Sequence, residues 1–209
     1  MDALAELART RRSLHGVGEG VIAGPQYREF GTIRLRATPG GFGGLRTPWR
    51  VDGLELTDGS KRLPLSGTFG ELAAAAGVEF GPPDGLYDDT SGCARDDPIV
   101  VDPAAARRVA AAFELGDDAL RAFAPQEQPV LWPEHFDLSI TVDEVNYGVS
   151  PGDAAIPAPY AYIGPWQLPA GEFWNAAFGA ARDLEELGST DAVAAFYAEG
   201  ARLVREARP

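Results

Sequence analysis

From Glu134 to Asp143 the chain reads EHFDLSITVD. Phe136, Leu138, Ile140 and Val142 alternate there with His135, Asp137, Ser139, Thr141 and Asp143. Successive side chains of a strand point to opposite faces. The pattern therefore predicts a strand over 134–143 with one apolar face and one polar face. Such a strand belongs in an antiparallel sheet, where one side can be dry and the other wet. The apolar row must be covered by another element, and the polar row must meet water, partners or a ligand.

The rest of the chain supplies more strands and several helices. Leu4, Leu7, Leu14, Val17 and Val21 fall on one helical face. They predict a helix over 2–23, closed by Gly24-Pro25, although Gly16, Gly18 and Gly20 are poor helix formers. Ile33, Leu35 and Ala37 alternate with Arg34 and Arg36, which predicts a strand within 31–38. The run from Pro39 to Gly44 reads as a flexible turn. Residues 48–57 and 61–66 read as two strands joined at Asp58-Gly59. Thr68 and Glu71 have capping-box spacing and open a short helix ending at Gly77. Residues 78–101 read as loop. Asp102-Pro103 opens the clearest helix, with Asp as cap and Pro in the first turn. Residues 145–150 continue the 134–143 strand or return beside it. Residues 151–175 are rich in proline and aromatics and read as irregular. Thr190 or Asp191 caps a last helix with Val193, Phe196, Leu203 and Val204 inside.

Strands arrive in runs, without regular β-α-β alternation. That argues against a Rossmann or barrel plan. The expected architecture is α+β: a mostly antiparallel sheet with helices packed on one face or end. No linker or repeat divides the 209 residues, so a single domain over 1–209 is expected.

Charge narrows the function. The chain carries a net −13 and a single cysteine, Cys93. Phosphate binding needs a cationic footprint, so a nucleic-acid partner is not expected. No run of apolar residues is long enough to span a membrane, and MDALAELARTRR, with its cations after its apolar residues, lacks the layout of a secretory signal, so none is expected. A cytoplasmic location is expected, without a disulfide framework. The first fifty residues hold eight arginines against four acids, while no Lys or Arg lies between Arg121 and Arg182. The acids of that stretch face water, pair with the early arginines or hold a cationic partner.

Three segments are distinctive: GTIRLRATPGGFG at 31–43, LWPEHFDLSITVDEVNYGVSPGD at 131–153, and PYAYIGPW with GEFWNAAFGAAR within 159–182. In these the chain resembles a group of uncharacterised bacterial proteins of about this length. The resemblance carries no activity, cofactor or site residue with it.

The polar row is the best candidate site. A histidine beside a carboxylate on one face can act as an oriented general base, so His135 and Asp137 are the catalytic candidates. Ser139, Thr141, Asp143, Tyr147, Tyr160, Tyr162, Trp166 and Trp174 are the ligand-binding candidates. Together they would form a polar floor under an aromatic lid, a common plan for small-ligand pockets. The alternative is a sheet face that simply meets water. His15 and Glu19, four apart on the first helix, could supply two metal ligands. That spacing is common by chance, and a helix-surface hydrogen bond accounts for it as well; no metal is assigned. Cys93 lies among acids, which disfavours a thiolate nucleophile. Two functions follow. The first is a small-molecule-binding protein or enzyme, with its pocket between the 134–143 strand and the 147–174 segment, and with cofactor and reaction unspecified. The second is an interaction protein that uses the 157–174 segment against a partner or a second copy, as in a homodimer.

Overall fold

The computed structural model describes residues 2–83, 85–88 and 90–208. The fold is α+β. The chain clusters into two compact units, residues 1–111 with 131–136, and residues 112–130 with 137–209.

The first unit opens on α1 (Ala3–Gly16), where the Asp2 side chain accepts the Leu4 N–H at 3.1 Å. The helix does not stop at Gly24-Pro25 as expected. It widens into a π-helix over Val17–Ala23 and continues as α2 (Gly24–Phe30) until Gly31 turns left-handed. Pro25 has no N–H to give, and the Gly20 carbonyl accepts the Gly81 N–H instead, at 3.0 Å. The glycines are here for close approach. A Cβ at Gly24 would lie 1.8 Å from the Gly81 carbonyl oxygen. Packing thus overrides propensity.

Five short strands follow as an antiparallel meander: β1 (Leu35–Thr38), β2 (Gly41–Gly44), β3 (Arg50–Asp52), β4 (Glu55–Thr57) and β5 (Arg62–Pro64). The expected flexible turn is thus partly a buried strand, β2, which a pattern of alternating apolar residues cannot reveal. The expected strand over 48–57 is two strands with a turn at Gly53. Asp58-Gly59 does join the next pair, with the Asp58 carboxylate accepting the Ser60 and Lys61 N–H groups.

The capping box of α3 (Phe69–Ala76) forms as read, and Gly77 ends the helix left-handed. The stretch from 78 to 101 contains no helix or strand among its described residues; Asp84 and Asp89 lie outside them. Asp102 caps α4 (Pro103–Phe123) through the Ala104 and Ala105 N–H groups. β6 (Val130–Trp132) pairs with β1 at Leu35 and Leu131. Gln26 is 1% exposed, yet all its hydrogen-bonding capacity is used. It donates to the Thr32 and Arg34 carbonyls and accepts from the Arg46 and Thr47 N–H groups. That satisfaction is what makes a buried amide tolerable.

In the second unit, β7 (Asp137–Val142), β8 (Val145–Ser150), β9 (Tyr160–Pro165) and β10 (Ala180–Asp183) run antiparallel in the order β10-β9-β8-β7. β9 lies inside the stretch expected to be irregular. Short α5 (Leu184–Leu187) and long α6 (Thr190–Ala207) follow, the latter capped by Ser189 rather than Thr190 or Asp191. Leu138, Ile140, Tyr147, Val149, Ala161 and Ile163 are the buried residues of one sheet face, by register. α6 and the later half of α4 cover that face. A Cβ at Gly116 would meet the Val149 side chain at 2.2 Å, and one at Gly200 would meet Ile163 at 2.3 Å. Among the described residues no helix is long and apolar enough to cross a membrane.

Candidate functional site

The strand expected over 134–143 is shorter than its sequence pattern. Residues 133–136 form a turn, and Phe136 takes a left-handed backbone with φ 53°. This breaks the alternation at its first two positions. Phe136 leaves the apolar row and joins the first unit, stacked on His15 at 5.2 Å and edge-on to Phe42 at 5.2 Å. His135 is exposed in the turn rather than on the strand. At the other end, Asp143 and Glu144 form a two-residue hairpin turn with φ 50° and 64°, the left-handed pair that suits such hairpins. Asp143 is therefore an exposed turn residue, not part of the row.

Between these ends, the sheet face opposite the helices is polar and covered. Asp137, Ser139 and Ser150 are 8%, 8% and 4% exposed. Ser139 pairs with Gly148, Gly148 with Tyr162, and Ser150 with Tyr160. The Tyr162 ring lies across Gly148, and its hydroxyl donates to Asp137 Oδ2. The Tyr160 hydroxyl donates to Asp153 Oδ2 at 2.6 Å. Asp153 is itself fixed, because Oδ1 accepts the Ala155 and Ile156 N–H groups at 2.7 Å each. The Tyr160, Tyr162 and Phe178 rings lie 6.1–6.3 Å apart.

The electrostatics follow from burial. Burial, and then the Asp137 charge, push the Tyr162 phenol well above its ordinary range. Burial and the bond to Asp153 do the same for Tyr160. Both phenols therefore stay protonated at neutral pH and act as donors. Beside Tyr160 is an open depression of about 490 Å³, whose walls include Ile156, Glu172, Asn175, Arg182, Asp183 and Glu186. Arg182 is already engaged there, over the Phe173 and Phe196 rings and bonded to Asn175.

Of the sequence candidates, Asp137, Ser139, Tyr160 and Tyr162 thus come together on one face. Thr141 is exposed near the strand end and donates to Asn146 Oδ1 at 2.8 Å. Tyr147 lies on the opposite face, 4.7 Å from the Phe123 ring, because strand alternation sends it with Val149. Trp166 is 66% exposed past the end of β9. Trp174 packs edge-on against Phe173 at 4.9 Å. Ser150, Asp153 and Phe178 were not foreseen. The alternation of Tyr160 and Tyr162 with Ala161 and Ile163 carried a strand signal, and β9 would have pointed to its neighbour Ser150.

Arg34 lies over the Trp132 ring at 5.8 Å, and among the described residues neither it nor Arg36 forms an ion pair. Glu144 is met instead by Arg208, at 3.7 Å. His15 does not turn toward Glu19: its Nε2 lies 2.5 Å from the Pro133 carbonyl oxygen. Among the described residues no group of three or more His, Cys, Asp and Glu side chains is arranged to hold a metal ion. Comparison with protein-family models, curated proteins and solved structures finds no match to this chain.

Proposed function

We propose that the protein binds a small organic molecule on the polar face of the second unit's sheet. Asp137, Ser139 and Ser150 form its floor, with Tyr160, Tyr162 and Asp153 above them. The observation that carries this reading is the burial of Asp137. A face that only met water would leave such a carboxylate exposed, whereas this one is enclosed and bonded by a phenol. Burying a charge is costly unless it is hydrogen-bonded, so the arrangement fits a prepared polar surface. The depression beside Tyr160 meets the proposed site at that residue, with Glu172 and Asp183 in its wall. His135, on its exposed turn, is the remaining catalytic candidate, and binding is the part of the reading that geometry favours.

The test is a thermal-shift panel of small organic molecules. At least one should raise the melting temperature of the wild type and lose that effect in Tyr160→Phe and Asp153→Asn. A panel without hits, or hits indifferent to both substitutions, counts against the reading.

A second reading rests on a different observation. Trp166 and Leu168 are 66% and 51% exposed. Leu168 lines a cleft of about 150 Å³ together with Pro165, Val204 and Arg208. Exposed apolar side chains of this size mark interaction surfaces, and a partner or a second copy would cover them. Sedimentation of the wild type against Trp166→Ser tests it: a self-associating protein becomes monomeric in the variant.

A further inference from the structure

The five-stranded meander of the first unit has two unlike faces. Leu35, Phe42, Val51 and Leu56 are buried on one of them. The other is set by register. Arg36 pairs with Gly43, Gly43 with Arg50, Arg50 with Thr57, and Thr57 with Arg62. Residues paired across antiparallel strands share a face, so these form one row from β1 to β5. Three members of the row are arginines, and Gly43 puts no side chain between Arg36 and Arg50.

The charge on this face is unevenly balanced. Toward β5 it is neutralised: Arg50 donates to Asp52 at 3.1 Å, and Arg62 meets Glu55 at 2.6 Å and Asp52 at 3.7 Å. At β1 it is not. Arg34 and Arg36 are exposed on either side of buried Leu35, so strand alternation sends both to the polar face. Leu35 pairs with Leu131, and that register sets the Arg34 guanidinium over the Trp132 ring at 5.8 Å. Two residues of extended chain put the arginines about 6.4–6.8 Å apart. In a chain of net charge −13, this end of the meander presents two cations side by side and an aromatic ring.

We propose that Arg34 and Arg36, with Trp132 beside them, form a docking face for an extended acidic peptide segment of a partner protein. Charge complementarity selects an anion, and guanidinium groups suit carboxylates because the two planar groups pair through two parallel hydrogen bonds. Spacing selects a peptide. Carboxylates at alternate positions of an extended chain share a face and recur every 6.4–6.8 Å or so, the period of the two arginines. Stacking on Trp132 holds the Arg34 side chain in place, so less side-chain freedom is lost on binding. A short segment interacts mainly with charges within a Debye length of about 8–10 Å, which here are the arginines. A nucleic-acid strand would run past them onto the rest of an acidic chain. The face is independent of the small-molecule reading for the second unit.

The probe is a fluorescein-labelled peptide in which glutamates alternate with threonines, residues that favour the extended chain. Its fluorescence anisotropy, followed against the full-length protein, should show saturable binding that weakens as salt is raised. In NMR spectra the same peptide should shift the Arg36 and Gly43 amides and the Trp132 indole. Arg34→Gln and Arg36→Gln should each weaken binding about two- to fivefold, the range for an exposed charge pair, and the double variant more than either. Both side chains are exposed, so neither substitution opens the core. Arg202→Gln, which breaks an exposed pair with Glu206, should leave binding unchanged. A peptide with the same number of glutamates at every third position should bind more weakly, because they no longer share a face. The proposal is overturned if no saturable binding is seen at low salt, or if the shifts avoid Arg36 and Trp132. It is equally overturned if the double variant binds as the wild type does, or if the two peptides bind alike. Tighter binding of an oligothymidylate of equal charge would overturn it in favour of a nucleic-acid face.

Discussion

Tyr162 reaches Asp137 by laying its ring across Gly148, so one phenol, one carboxylate and one missing side chain form a single device on the polar sheet face. A Cβ at Gly148 would lie 2.7 Å from the Tyr162 hydroxyl and 2.6 Å from the Leu138 carbonyl oxygen. Glycine is what lets the ring cross two strands. Replacing Tyr162 with Phe removes the donor and leaves the Asp137 carboxylate buried with one hydrogen bond fewer. The expected cost is about 1–3 kcal/mol of stability, read from urea unfolding. A cost below about 0.5 kcal/mol, the usual effect of a surface substitution, would mean that the bond does not form in solution.

The first unit makes a similar demand on Gly24. Any side chain there meets the Gly81 carbonyl oxygen at 1.8 Å, and a backbone group cannot swing away. Gly24→Ala is expected to cost about 1–3 kcal/mol or more, the range for forced overpacking. Gly53 is the control. Its φ is 61° but nothing lies within 4 Å of its Cβ position, so Gly53→Ala should cost only the left-handed backbone penalty of about 1–2 kcal/mol. Equal melting temperatures for Gly24→Ala and wild type would show that the loop does not pack on α2.

High pH should unfold the protein steeply. Tyr87, Tyr147, Tyr160, Tyr162 and Tyr197 all have raised pKa values, each mainly through burial. Tyr147 is pushed from 10.0 to about 12. A raised pKa means that folding favours the neutral phenol. The resulting stabilisation is complete below the unfolded value and is lost as pH climbs from about 10 toward 12 and beyond. Phenolate absorbance near 295 nm should therefore rise together with loss of helical circular dichroism. Ionisation of these phenols well before unfolding would contradict their burial.

The capping box offers a local test. The Thr68 hydroxyl accepts the Glu71 N–H at 3.2 Å while Glu71 Oε2 accepts the Thr68 N–H at 2.8 Å. Thr68→Ala should cost about 1 kcal/mol, and Thr68→Ser much less. Hydrogen exchange at the Glu71 amide reports the change directly.

How much of this was readable in the sequence depends on what each signal measures. Periodicity reports burial, so it found α4, α6 and the Leu138–Ile140 row. Cap chemistry is local, so Thr68, Asp102 and Gly77 were read correctly. β2 escaped because its residues Gly41, Gly43 and Gly44 carry no side chain to alternate. α2 escaped because Gly24-Pro25 is a stop signal, and only the distant Gly81 N–H supplies the Gly20 carbonyl with a donor. Part of the polar face was readable, since alternation put Asp137 with Ser139. His135 was misplaced because nothing local announces a left-handed Phe136. Asp153 was missed because its role depends on a tyrosine seven residues later. Glu19 was noticed for its spacing from His15, but its contact with Ser91, seventy-two residues away, is a product of the fold.

The central claim is that the polar face around Asp137, Ser150 and Tyr160 is a ligand surface. Amide and tyrosine-ring NMR spectra, recorded while small organic molecules are titrated in, test it most directly. Saturable shifts are expected, concentrated at Ser139, Ser150, Asp153, Tyr160 and Tyr162 and abolished in Asp153→Asn. No saturable shift at these residues, or shifts gathered instead around Trp166 and Leu168, would contradict it.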